Sequence, residues 1–306
     1  MNDTPITRRT FTASLFSALG ALSMRNILHA ADQKEALTAN YSIDTHAHIF
    51  KKGLKTASNA RYVPEYDATV HDYLNLLDKN NISNAVLVQP SFLGIDNTYL
   101  LSGIKQYSKR LRGVAVIPPT TSLNEMKDMA DQGIVGVRLN LISVSIPDFR
   151  QTPWPEFLSN LRELKWSVDI HREAKDISLI IKPLLDAGLN VVIDHFGRPD
   201  PKLGINDPGF KSILEFGESK RLWVKLSGAY RNGPSGRGNE VASQAIPLLK
   251  QSVGIDRLLW GSDWPHTQYE RASTYQSALD SLDRWISSPE EKSLVLNHNP
   301  VALYRF

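Results

Sequence analysis

Hydrophobic positions in this chain fall in short runs that recur between helix-like stretches. The runs occupy 42–49, 84–89, 113–117, 135–139, 166–171, 191–195, 223–227 and 257–260. Apolar residues recur at helical spacing at 69–79, 122–132 and 176–187, and again near the C-terminus at 274–286 and 290–296. Short apolar runs alternating with amphipathic segments predict parallel βαβ units. About eight repetitions predict an α/β fold of the TIM type, a single (β/α)₈ barrel domain over 42–306, rather than an open doubly wound sheet. The Gly/Pro-rich stretches 198–208 and 232–238 follow strands and read as βα loops. No G-x-G-x-x-G follows the first run and no Walker-type loop occurs, which removes the usual nucleotide sites.

The polar residues that punctuate the runs carry the chemistry. His46 and His48 end the first, Gln89 and Ser91 the second, and Arg138 and Asn140 the fourth. His171 ends the fifth, His195 with Arg198 the sixth, Ser227 with Arg231 the seventh, and Asp263 the eighth. In a parallel barrel these ends share one face, and active sites occupy that face. Side chains two apart on a strand point the same way, so His46 and His48 can meet a common metal or carbonyl oxygen. Asp263 is then a ligand, a general base, or both. His171 and His195 supply further imidazoles. His266 and His298 read as structural or loop residues, and His29 and His71 have no supporting context. Trp166, Trp223 and Trp260 sit in or beside runs and read as packing residues.

Composition narrows the classes. The 306 residues include no cysteine, which excludes a thiol nucleophile, a thiolate zinc site and an iron–sulfur cluster. Lysine and arginine number 35 against 32 acidic residues. The small excess lies largely in Arg8, Arg9 and Arg25, set against Asp3, so the remainder is nearly neutral and makes no case for nucleic acid. No apolar stretch reaches the ~18 residues of a membrane span. Thr7-Arg8-Arg9-Thr10-Phe11 precedes a small, mildly apolar segment and looks like a twin-arginine export signal over 1–31. A polar linker at 32–41 follows, and the expected location is periplasmic or exported, with the cytoplasm as the alternative.

Five segments together resemble the amidohydrolase superfamily, specifically the amidohydrolase-2 branch of 2-pyrone-4,6-dicarboxylate lactonase and related lactonases. They are Ile43-Asp44-Thr45-His46-Ala47-His48, Val88-Gln89-Pro90-Ser91, Gly136-Val137-Arg138-Leu139-Asn140, Asp194-His195-Phe196-Gly197-Arg198-Pro199-Asp200 and Trp260-Gly261-Ser262-Asp263-Trp264-Pro265-His266. The resemblance implies a distorted TIM barrel that opens a small anionic lactone, like 2-pyrone-4,6-dicarboxylate or 4-sulfomuconolactone. It implies Asp263 as the base that activates water, with His46, His48 and His195 around the carbonyl oxygen. It places Ser91, Arg138, Arg198, Arg231 and Tyr62 on the substrate and its acidic groups. Two departures stand out. A further arginine of the pyrone enzyme, after the fourth strand, has no counterpart in Leu141-Ile142-Ser143-Val144-Ser145. His171 stands where that enzyme has tyrosine and where metal-binding members carry a histidine ligand, so a zinc or manganese site of His46, His48, His171 and Asp263 is an alternative to metal-free chemistry. Other readings are a sugar-acid lactonase or lactone isomerase, a metal-dependent decarboxylase, and a non-catalytic binding barrel. The expected partner is a small molecule, and the expected assembly a monomer or dimer.

Overall fold

The computed structural model describes residues 42–234 and 236–306; the expected leader and linker lie outside the described residues. Eight parallel strands follow in chain order: β1 (Ile43–Ala47), β2 (Asn84–Val88), β3 (Leu111–Ala115), β4 (Ile134–Asn140), β5 (Ser167–His171), β6 (Val191–Ile193), β7 (Leu222–Leu226) and β8 (Leu258–Trp260). Each pairs with the next in parallel register, as where Asn140 faces His171 across β4 and β5. Helices α1 (Val70–Lys79), α2 (Thr98–Gln106), α3 (Leu123–Asp131), α4 (Trp154–Glu163), α5 (Ala174–Asp186), α6 (Pro208–Glu215) and α7 (Arg237–Ser252) fill the intervals, and α8 (Tyr275–Trp285) follows the last strand. The fold is the expected TIM barrel. Among the described residues no helix is long and apolar enough to cross a membrane.

Local chemistry sets the helix ends. Thr69, Ser122 and Thr274 each accept from the backbone N–H three residues on, and the side chain there returns the bond, making capping boxes for α1, α3 and α8. Behind the caps, single faces are buried, such as Tyr73, Leu74 and Leu77 of α1 and Ile177, Ile180, Ile181, Leu184 and Leu185 of α5. They pack on the outward residues of the strands, including Leu87, Val168, Ile170 and Val224.

The barrel interior is layered. Val86, Val114, Val192, Trp223 and Leu259 form an apolar cluster with Leu303 and Tyr304 of the C-terminal segment. Two residues beyond Trp223 on β7, Lys225 meets Asp169 of β5 at 2.5 Å, both fully buried. Two residues further again come Ser227 and His171. The seam between β8 and β1 is made differently from the other joints. Asp263 N–H donates to the His46 carbonyl and His48 N–H to the Trp264 carbonyl, both at 2.8 Å. Asp44 Oδ1 accepts from the backbone N–H of His46 (3.1 Å) and of Ser262 (2.9 Å), and Thr45 Oγ1 donates to the Trp260 carbonyl (2.7 Å). The strand that holds the histidines and the turn that holds Asp263 are thus tied directly together.

Candidate active site

His46 and His48 leave β1 on the same side, their rings edge to face with centroids 5.0 Å apart. His48 Nδ1 lies 2.7 Å from the Val88 carbonyl, which only accepts, so the ring donates there and presents Nε2 as an acceptor. That Nε2 stands 3.6 Å from Asp263 Oδ1, and His46 Nε2 stands 3.8 Å from the same oxygen. The other oxygen of Asp263 accepts from the Tyr230 hydroxyl (2.7 Å) and from Arg231 Nε (2.6 Å). Burial pushes the Asp263 carboxyl up, but the Arg231 guanidinium, followed by the neighbouring His195, His48 and His46, outweighs it and holds the group well below the usual carboxylate range. Asp263 is therefore an ionised carboxylate with one oxygen satisfied and the other free.

His195 completes the cluster from the turn after β6, with its ring centroid 4.8 Å from that of His46 and Nδ1 2.9 Å from Ser227 Oγ. His195, Asp263 and His266 all have positive φ (54°, 60° and 65°) in the turns beyond β6 and β8. Non-glycine residues seldom take that conformation, and such strain concentrates at functional sites. Gly228 separates the two partners. A Cβ there would lie 2.7 Å from Asp263 Oδ2 and 2.8 Å from His195 Nδ1. Burial holds His46 neutral, lowering it to about 3, and carries His171 and His195 well below their ordinary value.

His171 is turned to a different task. Its Nδ1 lies 3.0 Å from Asn140 Oδ1, and its Nε2 accepts from Arg198 Nη1 at 3.1 Å. Both ring nitrogens are engaged, so the structure does not bring His171 into one cluster with Asp263. The residues that offer metal-ligand atoms within 4.8 Å of one another are His46, His195 and Asp263, with His48 beside them. His46 Nε2 and Asp263 Oδ1 are buried and have no hydrogen-bond partner among the described residues. An imidazole nitrogen and a carboxylate oxygen facing each other fit a bridging water, and they are also a donor set for a divalent cation.

A cavity of about 210 Å³ opens at this end of the barrel. Tyr62, Ser91, Arg138, Arg198 and Arg231 all line it, as do His48, His171 and His195. Asp263 is fully buried and touches the cavity through His48 and Arg231. Arg138 donates from Nε and Nη2 to Asp194 Oδ2 at 3.0 and 2.8 Å, and Asp194 Oδ1 stands 3.3 Å from His46 Nδ1.

A family model described as Amidohydrolase matches residues 43–306. The chain belongs to the amidohydrolase family. It is 29% identical over 281 residues to a 4-sulfomuconolactone hydrolase of Hydrogenophaga intermedia, covering 86% of this chain and 88% of that protein. It is 28% identical over 274 residues to a 2-pyrone-4,6-dicarboxylate hydrolase of Comamonas testosteroni, covering 86% and 90%. A crystal structure of a probable 2-pyrone-4,6-dicarboxylic acid hydrolase from Acinetobacter baumannii, with citric acid bound, superimposes with a TM-score of 0.83 at 41% identity, covering 87% of this chain and 99% of that one.

Several residues of this amidohydrolase site escape a reading of strand ends. Arg61 and the loop residues Thr267, Gln268 and Tyr269 line the cavity, and Tyr62 Oη meets Thr267 Oγ1 at 3.0 Å across its mouth. Tyr230 and His266 flank Asp263, with the Tyr230 hydroxyl 3.2 Å from His266 Nδ1. His266 is therefore part of the carboxylate's surroundings. Its only sequence signal is its place in the Trp-Pro-His segment that follows Asp263.

Proposed function

We propose that this chain hydrolyses a small lactone carrying two negative charges, with Asp263 as the base. The observation that carries the reading is the free Oδ1 of an ionised, buried Asp263 facing imidazoles beside a cavity rimmed by Arg61, Arg138, Arg198 and Arg231. A water donating to Asp263 Oδ1 and His48 Nε2 keeps a lone pair for the ring carbonyl. As the new C–O bond forms, the water's proton passes to Asp263 Oδ1. With Ser227 donating to its Nδ1, His195 carries its proton on Nε2 and meets the oxyanion. Cleavage of the ring C–O bond returns the proton from Asp263 to the leaving oxygen, giving the open-chain hydroxy acid, whose new carboxyl group keeps the water's second proton until it ionises in solvent. If a divalent cation is bound, zinc or manganese, His46, His195 and Asp263 would hold it, and it would acidify water and polarise the carbonyl.

The charge inventory supports a dianion. Asp194 neutralises Arg138 and Asp263 neutralises Arg231. Arg61 and Arg198 have no carboxylate within ion-pair distance among the described residues, and a planar guanidinium suits carboxylate or sulfonate oxygens. The curated relatives are named for a sulfomuconolactone and a pyrone dicarboxylate, which agrees with this chemistry. The test is a panel of anionic lactones followed by ring-opening absorbance, with metal content measured on the same preparation. Asp263→Asn is expected to lower kcat by at least about 10²-fold while a dicarboxylate still binds. Undiminished turnover would remove Asp263 as the base, and full activity in verified metal-free protein would remove the cation.

A further inference from the structure

A second cavity, about 400 Å³, lies beside the catalytic one, and Arg198 and Arg231 line both. Its character is different. Ala174, Pro199, Pro201, Leu203 and Pro208 supply carbon walls among the charged Glu173, Lys175 and Asp200, and Leu203 stays 48% exposed. The charge on Asp207 is spent locally, because its oxygens accept from the backbone N–H groups of Asp200 and Gly209, both at 2.7 Å. Those bonds, with Ala174 N–H donating to the Arg198 carbonyl at 3.1 Å, fix the loop against the starts of α5 and α6. Gly209 makes that fit possible, since a Cβ there would lie 2.3 Å from the Ala174 carbonyl oxygen. The lobe is thus preformed, and three of its wall residues are prolines that lose little freedom on binding.

We propose that this lobe takes an apolar alkyl or aryl substituent of the substrate, so that the anionic ring reacts in the first cavity while its side group passes Arg198 and Arg231 into the second. The inference rests on the lactone reading for the reacting ring, but not for the existence of the lobe. It is tested first by binding. Calorimetry compares succinate with 2-benzylsuccinate on the intact protein and on Leu203→Trp, in which the indole fills the lobe. The wild type is expected to hold benzylsuccinate about tenfold more tightly, the gain supplied by burying roughly 60 Å² of phenyl surface. In Leu203→Trp the two affinities are expected to fall within about twofold of each other, with succinate unchanged. Equal affinities in the wild type, or a variant that weakens both ligands alike, would overturn the lobe. Turnover of a lactone carboxylate with and without a phenyl group then separates the two ideas. A retained benzylsuccinate preference with no lactone opened refutes the reaction and leaves the lobe standing. Lactones opened with no preference for the phenyl group, in binding or in kcat/KM, refute the lobe alone.

Discussion

Arg61 stands at the cavity mouth beside Tyr62, and burial together with the like charges of Arg138 and Arg231 lowers its pKa. A cation held among cations without its own carboxylate gains most when an anion arrives. Arg61→Gln is expected to raise KM for a dianionic lactone about tenfold and to leave kcat and a monoanionic analogue nearly unchanged, as initial-rate kinetics on the pair would report. An equal loss on both substrates would mean that Arg61 shapes the mouth and does not read charge. None of residues 141–145 lines the cavity, so Arg61 is a cation brought in from a different loop. Residues at this scale were unevenly legible. His46, His48, His195 and Asp263 could be read because the ends of parallel strands must converge. Arg61, Tyr230 and His266 could not, because each reaches the site from a loop whose path no periodicity describes.

At the scale of elements, the seam between β1 and β8 concentrates the dependence of chemistry on fold. Asp44 accepts two backbone N–H groups there, one from His46 and one from the residue before Asp263. Asp44→Ala leaves both donors buried without an acceptor, at an expected cost of about 3 kcal/mol in urea unfolding, with activity falling further than stability as the imidazole and carboxylate drift apart. Thr69→Ala removes a cap on α1, remote from these groups, and is expected to cost about 1 kcal/mol with kcat unchanged. Similar losses of activity in the two folded variants would detach the seam from the chemistry. Most strands were readable from their apolar runs. β3 begins at Leu111 and not at 113, because Arg112 interrupts the run; its guanidinium lies over the Phe306 ring at 5.0 Å, a contact made only once the C-terminus packs there. α7 carries a weak signal for a related reason, with Gly238 and Asn239 in its first turn and Pro247 inside it.

For the whole molecule, closure of the barrel changes what a charged residue in a strand means. Lys225 and Asp169 alternate with apolar neighbours, a pattern that in an open sheet marks a solvated face, yet both faces are buried here and the two pair inside. The same closure buries imidazoles in neutral form, which makes global stability depend on pH. Burial lowers His266 to about 4, against an unfolded value of 6.5. Between those values the unfolded chain binds a proton that the folded one does not, so the contribution is complete above pH 6.5 and drains away as pH falls toward 4. Moving from pH 7 to pH 5 is expected to cost about 2 kcal/mol through this side chain alone. Asp44, whose carboxyl burial raises, works in the opposite sense, and other buried groups contribute as well, so the total change cannot be assigned to one residue. His266→Gln isolates the effect, since glutamine keeps a polar side chain beside Tyr230 but takes up no proton. Unfolding free energies from urea titrations at pH 7 and pH 5 are expected to differ by about 2 kcal/mol less in the variant than in the wild type. Parallel losses in the two proteins would show that His266 protonates as readily in the fold as outside it, and that the pocket around Asp263 is wetter than its packing implies.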